Sequence, residues 1–128
     1  MINKMIQNET YLNVCDNSGA KTACCIKILG SSKKKYAYLG DLLKVSIKKI
    51  NTYSKIKRGE VYNSVLIRSV YNFKRFDGSY ISFNENSIVI LNSKNEPCFT
   101  RIFGPVLKEF KKKNILGSKI ISLSSIII

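Results

Sequence analysis

The stretch Val61–Leu91, VYNSVLIRSVYNFKRFDGSYISFNENSIVIL, restricts the fold more than any other part of the chain. Ser64 to Tyr71 concentrates β-branched and aromatic residues, the composition of a strand. The chain then turns through Asn72 to Gly78, where Asp77-Gly78 supplies the positive φ that a tight reversal needs. It returns as Tyr80 to Phe83, turns again at Asn84 to Asn86, and comes back as Ile88 to Leu91. The first connection places Lys74 and Arg75 between Phe73 and Phe76, which a solvated turn does not require. The two cations suit phosphate. For the two phenylalanines two readings stand, stacking on a base or closing over the end of a barrel.

The remaining segments extend the same pattern. Tyr11 to Val14 reads as a short strand running into the turn Asp16-Asn17-Ser18-Gly19, and Thr22 to Leu29 as a second strand. Inside that turn the Asp16 carboxylate is expected to accept backbone N–H groups, not to act as a catalytic acid. Asp41 to Lys49 alternates cleanly, with Leu43, Val45 and Ile47 on one face and Lys44, Ser46 and Lys48 on the other. That is a half-buried strand with a basic outer face. Asn51 to Gly59 is a polar hairpin tip whose Lys55, Lys57 and Arg58 point away from the body of the fold. After a link at Asn92 to Pro97, Gly104 as N-cap and Pro105 at the first helical position predict a late helix. Val106 and Phe110 give it an apolar edge, Lys111 to Lys113 lie near its end, and Asn114 and Gly117 stop it. Ile120, Ile121 and Leu123 then form one further short turn on the barrel. Many short strands with one late helix indicate a single mainly β domain over residues 1–128. It is a small closed or nearly closed β-barrel over about 5–99, with a C-terminal loop and helix over 100–128.

Charge sets the class of partner. The formal net charge is +14, with only eight acidic residues, so the chain attracts polyanions before any contact forms. The excess is concentrated: Lys33 to Arg58 holds nine cations against Asp41 alone, and Lys108 to Ile128 holds five against Glu109 alone. Such polarity favours a structured nucleic-acid surface over a uniformly basic coat. Within SSKKKYAYLG, Lys33, Lys34 and Lys35 are assigned to RNA phosphates. Tyr36 and Tyr38 share a face if the segment is extended, and contact RNA or pack inward.

Other classes are disfavoured. There is no histidine, and Asp16, Asp41 and Asp77 all lie in glycine-containing turn contexts, so no acid–base pair for an enzyme is evident. Cys15, Cys24, Cys25 and Cys98 form no C-x-x-C pair and read as buried free thiols, with no metal and no cofactor. No run reaches the ~18 to 20 apolar residues of a membrane span. Met1 to Thr10 has neither the apolar core of a secretory signal nor the Arg-rich pattern of a transit peptide.

Four groups of residues carry a resemblance. They are Leu12-Asn13-Val14-Cys15-Asp16-Asn17-Ser18-Gly19-Ala20; Lys35-Tyr36-Ala37 with Gly40-Asp41; Thr100-Arg101-Ile102-Phe103-Gly104-Pro105-Val106; and Lys119-Ile120-Ile121-Ser122-Leu123. In order and spacing, from Met5 to about Leu123, the chain resembles the fourteenth universal protein of the large ribosomal subunit, in its bacterial or organellar form. It departs from that pattern at Ser64, usually Gly or Ala, and at Phe76, commonly proline. About two extra residues lie between Glu109 and Lys119.

The resemblance implies a mainly β fold, a small five-stranded antiparallel β-barrel, OB-like, with a projecting β-ribbon and a small C-terminal helical segment. It implies binding to large-subunit ribosomal RNA, a surface facing small-subunit RNA across the intersubunit interface, and contact with a neighbouring large-subunit protein. A ribosome-silencing factor is a further implied partner, at the positions of Thr100, Arg101 and Lys119. The RNA-binding set is then Lys33, Lys34, Lys35, Tyr36, Lys55, Lys57, Arg58, Lys74 and Arg75. A composition rich in Ile, Lys, Asn, Ser and Tyr suits an AT-rich coding sequence. With the resemblance, it gives a ribosome of a mitochondrion or plastid as the expected location, a bacterial cytoplasm being the alternative. The competing function is a free-standing OB-like single-strand binder, which requires a continuous aromatic platform on one sheet face.

Overall fold

The computed structural model describes residues 6, 7, 9–29, 36–52, 54, 56–112 and 115–128. Its elements are β1 (Tyr11–Val14), β2 (Ala20–Ile28), β3 (Leu42–Ile50), β4 (Val61–Arg68), β5 (Phe73–Lys74), β6 (Tyr80–Ile81), β7 (Ser87–Leu91) and β8 (Ile102–Val106). A 3-10 turn at Lys108–Lys112, α1 (Ile115–Leu123) and β9 (Ser124–Ile127) follow. Strands β1, β2, β3, β4 and β7 close into a barrel in that order. Four joints are antiparallel, and the seam between β1 and β7 is parallel, at Asn13↔Ser87 and Val14↔Ile88. Five strands around a closed ring cannot alternate in direction at every joint, so one parallel seam is required by the count itself. The expected five-stranded barrel is thus observed, mainly β, with a short helix late in the chain.

Burial follows the alternation in β3, where Leu43, Val45 and Ile47 are fully buried while Lys44 and Lys48 point outward. Strands β4 and β7 behave differently. Ser64 to Arg68 and Ser87 to Leu91 are buried at every consecutive position. A strand covered on one face alternates, so both of these are covered on both faces. One side is the barrel interior, and on the other the C-terminal part of the chain reaches both strands, with Arg68 against Gly104 and the Cys98 amide donating to the Ile90 carbonyl at 3.3 Å. Phe99, Ile102, Val106, Leu107, Phe110 and Ile120 of that segment join the same core. Each fully buried leucine or isoleucine contributes roughly 1.5 to 3 kcal/mol.

The C-terminal segment is where the sequence expectation needs correcting. Ile102–Val106 is a strand, not a helix start, and it pairs in parallel with β9 through Ile102↔Ser124, Pro105↔Ile126 and Val106↔Ile127. Gly104 has φ +89°, outside the extended backbone of an N-cap. The true helix begins at Ile115 and runs through Gly117, which does not stop it; Lys113 and Asn114 lie outside the described residues. Val106 and Phe110 are both buried, but on β8 and the 3-10 turn. Strand boundaries also shift: β2 starts at Ala20, and β4 spans Val61–Arg68 instead of Ser64 to Tyr71. Of the four thiols, Cys15 and Cys25 are buried and Cys24 is half-buried, whereas Cys98 is exposed. Strands β5 and β6 form a separate two-stranded ribbon with Phe73 packed against the core, while Phe76 stands at its tip.

Candidate nucleic-acid interface

The outer face of the β2–β3 pair carries five exposed lysines, Lys21, Lys27, Lys44, Lys48 and Lys49. Between Ala20 and Ala23 the register shifts twice, with Ala20↔Ile50, Thr22↔Lys49 and Ala23↔Ile47 as partners. Lys21 and Lys48 are therefore the extra residues of successive bulges. A bulge breaks the in–out alternation and twists the strand. Lys48 and Lys49 are consequently both exposed, although neighbours on a regular strand face opposite ways. A third shift between Cys25 and Lys27 exposes Ile26 and Lys27 together. Further along the ladder Lys27 and Lys44 are direct cross-strand partners, and both are exposed. Like charges placed opposite each other destabilise a sheet, so an arrangement of this kind is suited to an external polyanion.

At one end of this face, Tyr11, Lys21, Thr22, Lys48, Lys49, Ile50 and Arg58 line a cleft of about 770 Å³. Four cations converge there, and among the described residues no carboxylate lines it. The Tyr11 ring, 66% exposed, adds an aromatic surface beside them. Ammonium and guanidinium groups around an accessible ring offer phosphate and base or sugar contacts at once. Lys21, Lys48, Lys49 and Tyr11 were not legible as a site in the sequence, because bulges and loop folding bring them together. Arg58 alone belongs to both sets.

The other expected site residues fall in several places. Lys33, Lys34, Lys35 and Lys55 lie outside the described residues. Tyr36 is half-buried, next to an Ala37 that bridges to Ile6. Lys57 and Arg58 are exposed on the β3–β4 tip. That tip folds back on the body: Ile56 is buried, the Asn51 amide donates to the Gly19 carbonyl at 2.8 Å, and Gly59 donates to Ile47 at 2.8 Å. Lys74 is exposed on the ribbon. Arg75 is not, since its Nε meets Glu109 Oε1 at 2.9 Å and its Nη2 donates to the main-chain oxygen of Ile128. Its guanidinium thereby ties the ribbon to the C-terminal segment.

Thr100 and Arg101 are held by one side chain. The Asn17 Oδ1 accepts from the Thr100 amide at 2.9 Å and the Arg101 amide at 3.1 Å, and its Nδ2 donates to Thr100 Oγ1 at 2.7 Å. Next to it, buried Asp16 accepts from the Ser18 amide at 3.0 Å and from the Ile90 amide at 2.8 Å. This turn-fixing role is the one its sequence context implied. Burial pushes its carboxyl above the usual range, opposed by these same hydrogen bonds. Arg101 is exposed, with its guanidinium 5.5 Å from the centre of the Phe103 ring. Lys119 is exposed on α1, the element that packs beside β8.

Catalytic arrangements are not assembled among these groups. The Asp41 carboxylate accepts the Tyr38 amide at 2.7 Å and Asp77 accepts from Ser79, as turn-forming groups do. Among the described residues, no three His, Cys, Asp or Glu side chains are placed to hold a metal ion. No described helix is long and apolar enough to cross a membrane. Of the exposed aromatics, Tyr38 and Tyr71 meet edge to face outside the strands with ring centroids 6.4 Å apart, while Tyr11 and Phe103 lie on separate strands and Phe76 and Tyr80 on the ribbon. The aromatic platform that a single-strand binder needs is therefore not formed by them.

Residues 5–128 match the family model described as ribosomal protein L14p/L23e. The chain belongs to this family. The match spans nearly the whole sequence, and the barrel with its late short helix is consistent with it. As a member of the L14p/L23e family the chain is a structural component of the ribosome that binds ribosomal RNA. The basic β2–β3 face is suited to that role.

Proposed function

We propose that this chain is a structural constituent of the large ribosomal subunit that docks on its RNA through the outer face of β2 and β3. The observation that carries this reading is the cleft in which Lys21, Lys48, Lys49 and Arg58 converge beside Tyr11, with no carboxylate among its described lining residues. Lys27, Lys44, Lys57 and Lys74 extend the basic surface, and Lys33, Lys34, Lys35 and Lys55 add to it from sequence. The closed barrel fixes the backbone that carries Lys21, Lys27, Lys44, Lys48 and Lys49, so a folded RNA meets cations already gathered on one face.

The surface of Thr100, Arg101 and Lys119 is assigned to the intersubunit side. There it contacts small-subunit RNA and serves as the landing site of a ribosome-silencing factor. The rigid Asn17 clasp supports a recognition role for Thr100 and Arg101. The exposed apolar side chains Phe103, Ile126 and Ile127 on β8 and β9 suit contact with a neighbouring large-subunit protein. The host ribosome is assigned to an organelle on the strength of the biased composition.

Binding to transcribed large-subunit ribosomal RNA, measured across a salt series, tests the RNA reading. Each lost phosphate contact reduces the slope of log K against log salt by about 0.7 to 0.9. Lys48→Ala with Lys49→Ala is expected to weaken binding and flatten the slope by roughly twice that amount. An unchanged slope would remove the cleft from the interface. Sedimentation of tagged protein from mitochondrial or plastid fractions tests the rest, through co-migration with large subunits.

A further inference from the structure

Phe76 presents an aromatic ring that is 98% exposed at the end of the β5–β6 ribbon. The backbone beneath it is rigid. The Gly78 amide donates to the Arg75 carbonyl at 3.1 Å, and the Arg75 amide donates to the Ser79 carbonyl at 2.9 Å. Gly78 takes φ +89°, a conformation costly for any side chain bearing a β-carbon. Asp77 Oδ1 accepts both the Ser79 amide at 2.9 Å and the Ser79 hydroxyl at 2.6 Å, so its carboxylate is committed within the turn. One residue before the ring, Arg75 is clamped by Glu109 at 2.9 Å. The ribbon is also sided: Phe73 and Ile81 pair against the core, whereas Lys74 and Tyr80 pair with both side chains outward.

A large ring held away from the core on a braced turn, with a cation on the outer face behind it, is arranged for insertion. We propose that Phe76 is a stacking wedge that inserts against an unpaired base of ribosomal RNA, with Lys74 on the adjoining phosphate. This rests on the RNA-binding reading and adds to it a specific contact, at a site the family's usual proline would not provide. RNA is favoured over a protein pocket as the occupant. Lys74 and Tyr80 share the ribbon's outer face, and unpaired bases stack on aromatic rings whose flanking phosphates meet cations.

The full-length chain and transcribed large-subunit ribosomal RNA make the test. Because Phe76 lies outside the core, Phe76→Ala is expected to keep the fold, which a thermal melt checks. Loss of one base–aromatic stack is expected to weaken binding roughly 5- to 150-fold. The salt slope stays the same, since an uncharged ring releases no counterions; Lys74→Ala instead flattens the slope by about 0.7 to 0.9. In Phe76→Trp, RNA is expected to quench the indole emission by stacking. If Phe76→Ala binds RNA as the parent does while Lys48→Ala with Lys49→Ala binds weakly, the wedge is refuted and the RNA reading stands. If the parent chain ignores the RNA at low salt, both fall. An indole emission change in Phe76→Trp that requires added ribosomal proteins, with none on RNA alone, would also refute it, in favour of a protein pocket.

Discussion

The guanidinium of Arg68 occupies the space that a β-carbon on Gly104 would fill, with its Nη1 atom at that position and its Cζ 2.9 Å away. Arg68 ends β4 with its side chain almost fully buried, and its guanidinium reaches Glu85 at 3.3 Å. The guanidinium thus passes over the backbone of β8 at the one residue that lacks a side chain. Gly104 also has φ +89°, so two independent demands meet at a single position. Gly104→Ala is expected to cost about 2 to 4 kcal/mol, from left-handed backbone strain together with displacement of a buried charge. In an Arg68→Met background the added cost should shrink to the backbone share, about 1 to 2 kcal/mol. Urea unfolding of the four members of this cycle measures both numbers.

The same glycine shows why the sequence misled at the C-terminus. Gly104-Pro105 carries the local marks of a helix start, with apolar residues four apart behind it. What decides the conformation is the pairing of Ile102–Val106 with Ser124–Ile127, a non-local contact that no window of neighbouring residues contains. In β3 the opposite holds. Leu43, Val45 and Ile47 alternate with polar residues, and one buried face is enough to define the strand. The candidate site was legible only in part. Lys57, Arg58 and Lys74 are exposed as their turn context suggests, but Arg75 is consumed by Glu109, thirty-four residues away. Lys48 points outward by the alternation of β3, but Lys49 joins it only where a register shift breaks that alternation, and composition does not announce a bulge.

The Asn17 side chain makes three hydrogen bonds to Thr100 and Arg101 and its amide donates a fourth to the Arg101 carbonyl at 3.2 Å, joining the first turn of the barrel to the segment entering β8. At about 0.5 to 1.5 kcal/mol net for each bond, with the site exposed to water, Asn17→Ala is expected to cost about 1 to 2 kcal/mol. Its more specific effect is local. Hydrogen exchange at the Thr100 and Arg101 amides should accelerate more than at Ile90, which donates to Asp16 instead. Asn17→Asp keeps an oxygen that accepts from both amides and gives the Thr100 hydroxyl a carboxylate oxygen to donate to, so its exchange rates should stay much closer to the parent's than those of Asn17→Ala.

Burial pushes the Cys15 thiol up to about 12, against the opposing pull of Arg68, and the Cys25 thiol up to about 11. The folded state therefore holds these protons more tightly than the unfolded chain, whose thiols titrate near 9.0. The stabilisation is complete below pH 9 and is lost as pH rises through the folded values. Urea midpoints should fall from about pH 8 to about pH 10.5, and Cys15→Ala with Cys25→Ala should make that decline shallower. At neutral pH, native alkylation should label exposed Cys98 ahead of Cys15 and Cys25, as peptide mapping would show.

Lys27 and Lys44 face each other across β2 and β3 with no carboxylate between them in the ladder. Opposed like charges cost a sheet about 0.2 to 1 kcal/mol, and nothing in the fold of the free chain requires them. Their placement makes sense if a phosphate lies over the pair, because the repulsion that weakens the free protein then becomes attraction for the ligand. Lys44→Glu converts the repulsion into an opposite-charge pair and is expected to raise the stability of the isolated chain by about 0.5 to 1 kcal/mol. The same change places an anion on the basic face and should weaken binding to ribosomal RNA, most steeply at low salt where screening is least. A thermal melt and a salt-series binding curve on one preparation report both quantities. A variant gaining stability with undiminished affinity would show that the pair merely faces water, whereas opposite movement of the two places the RNA on this part of the barrel.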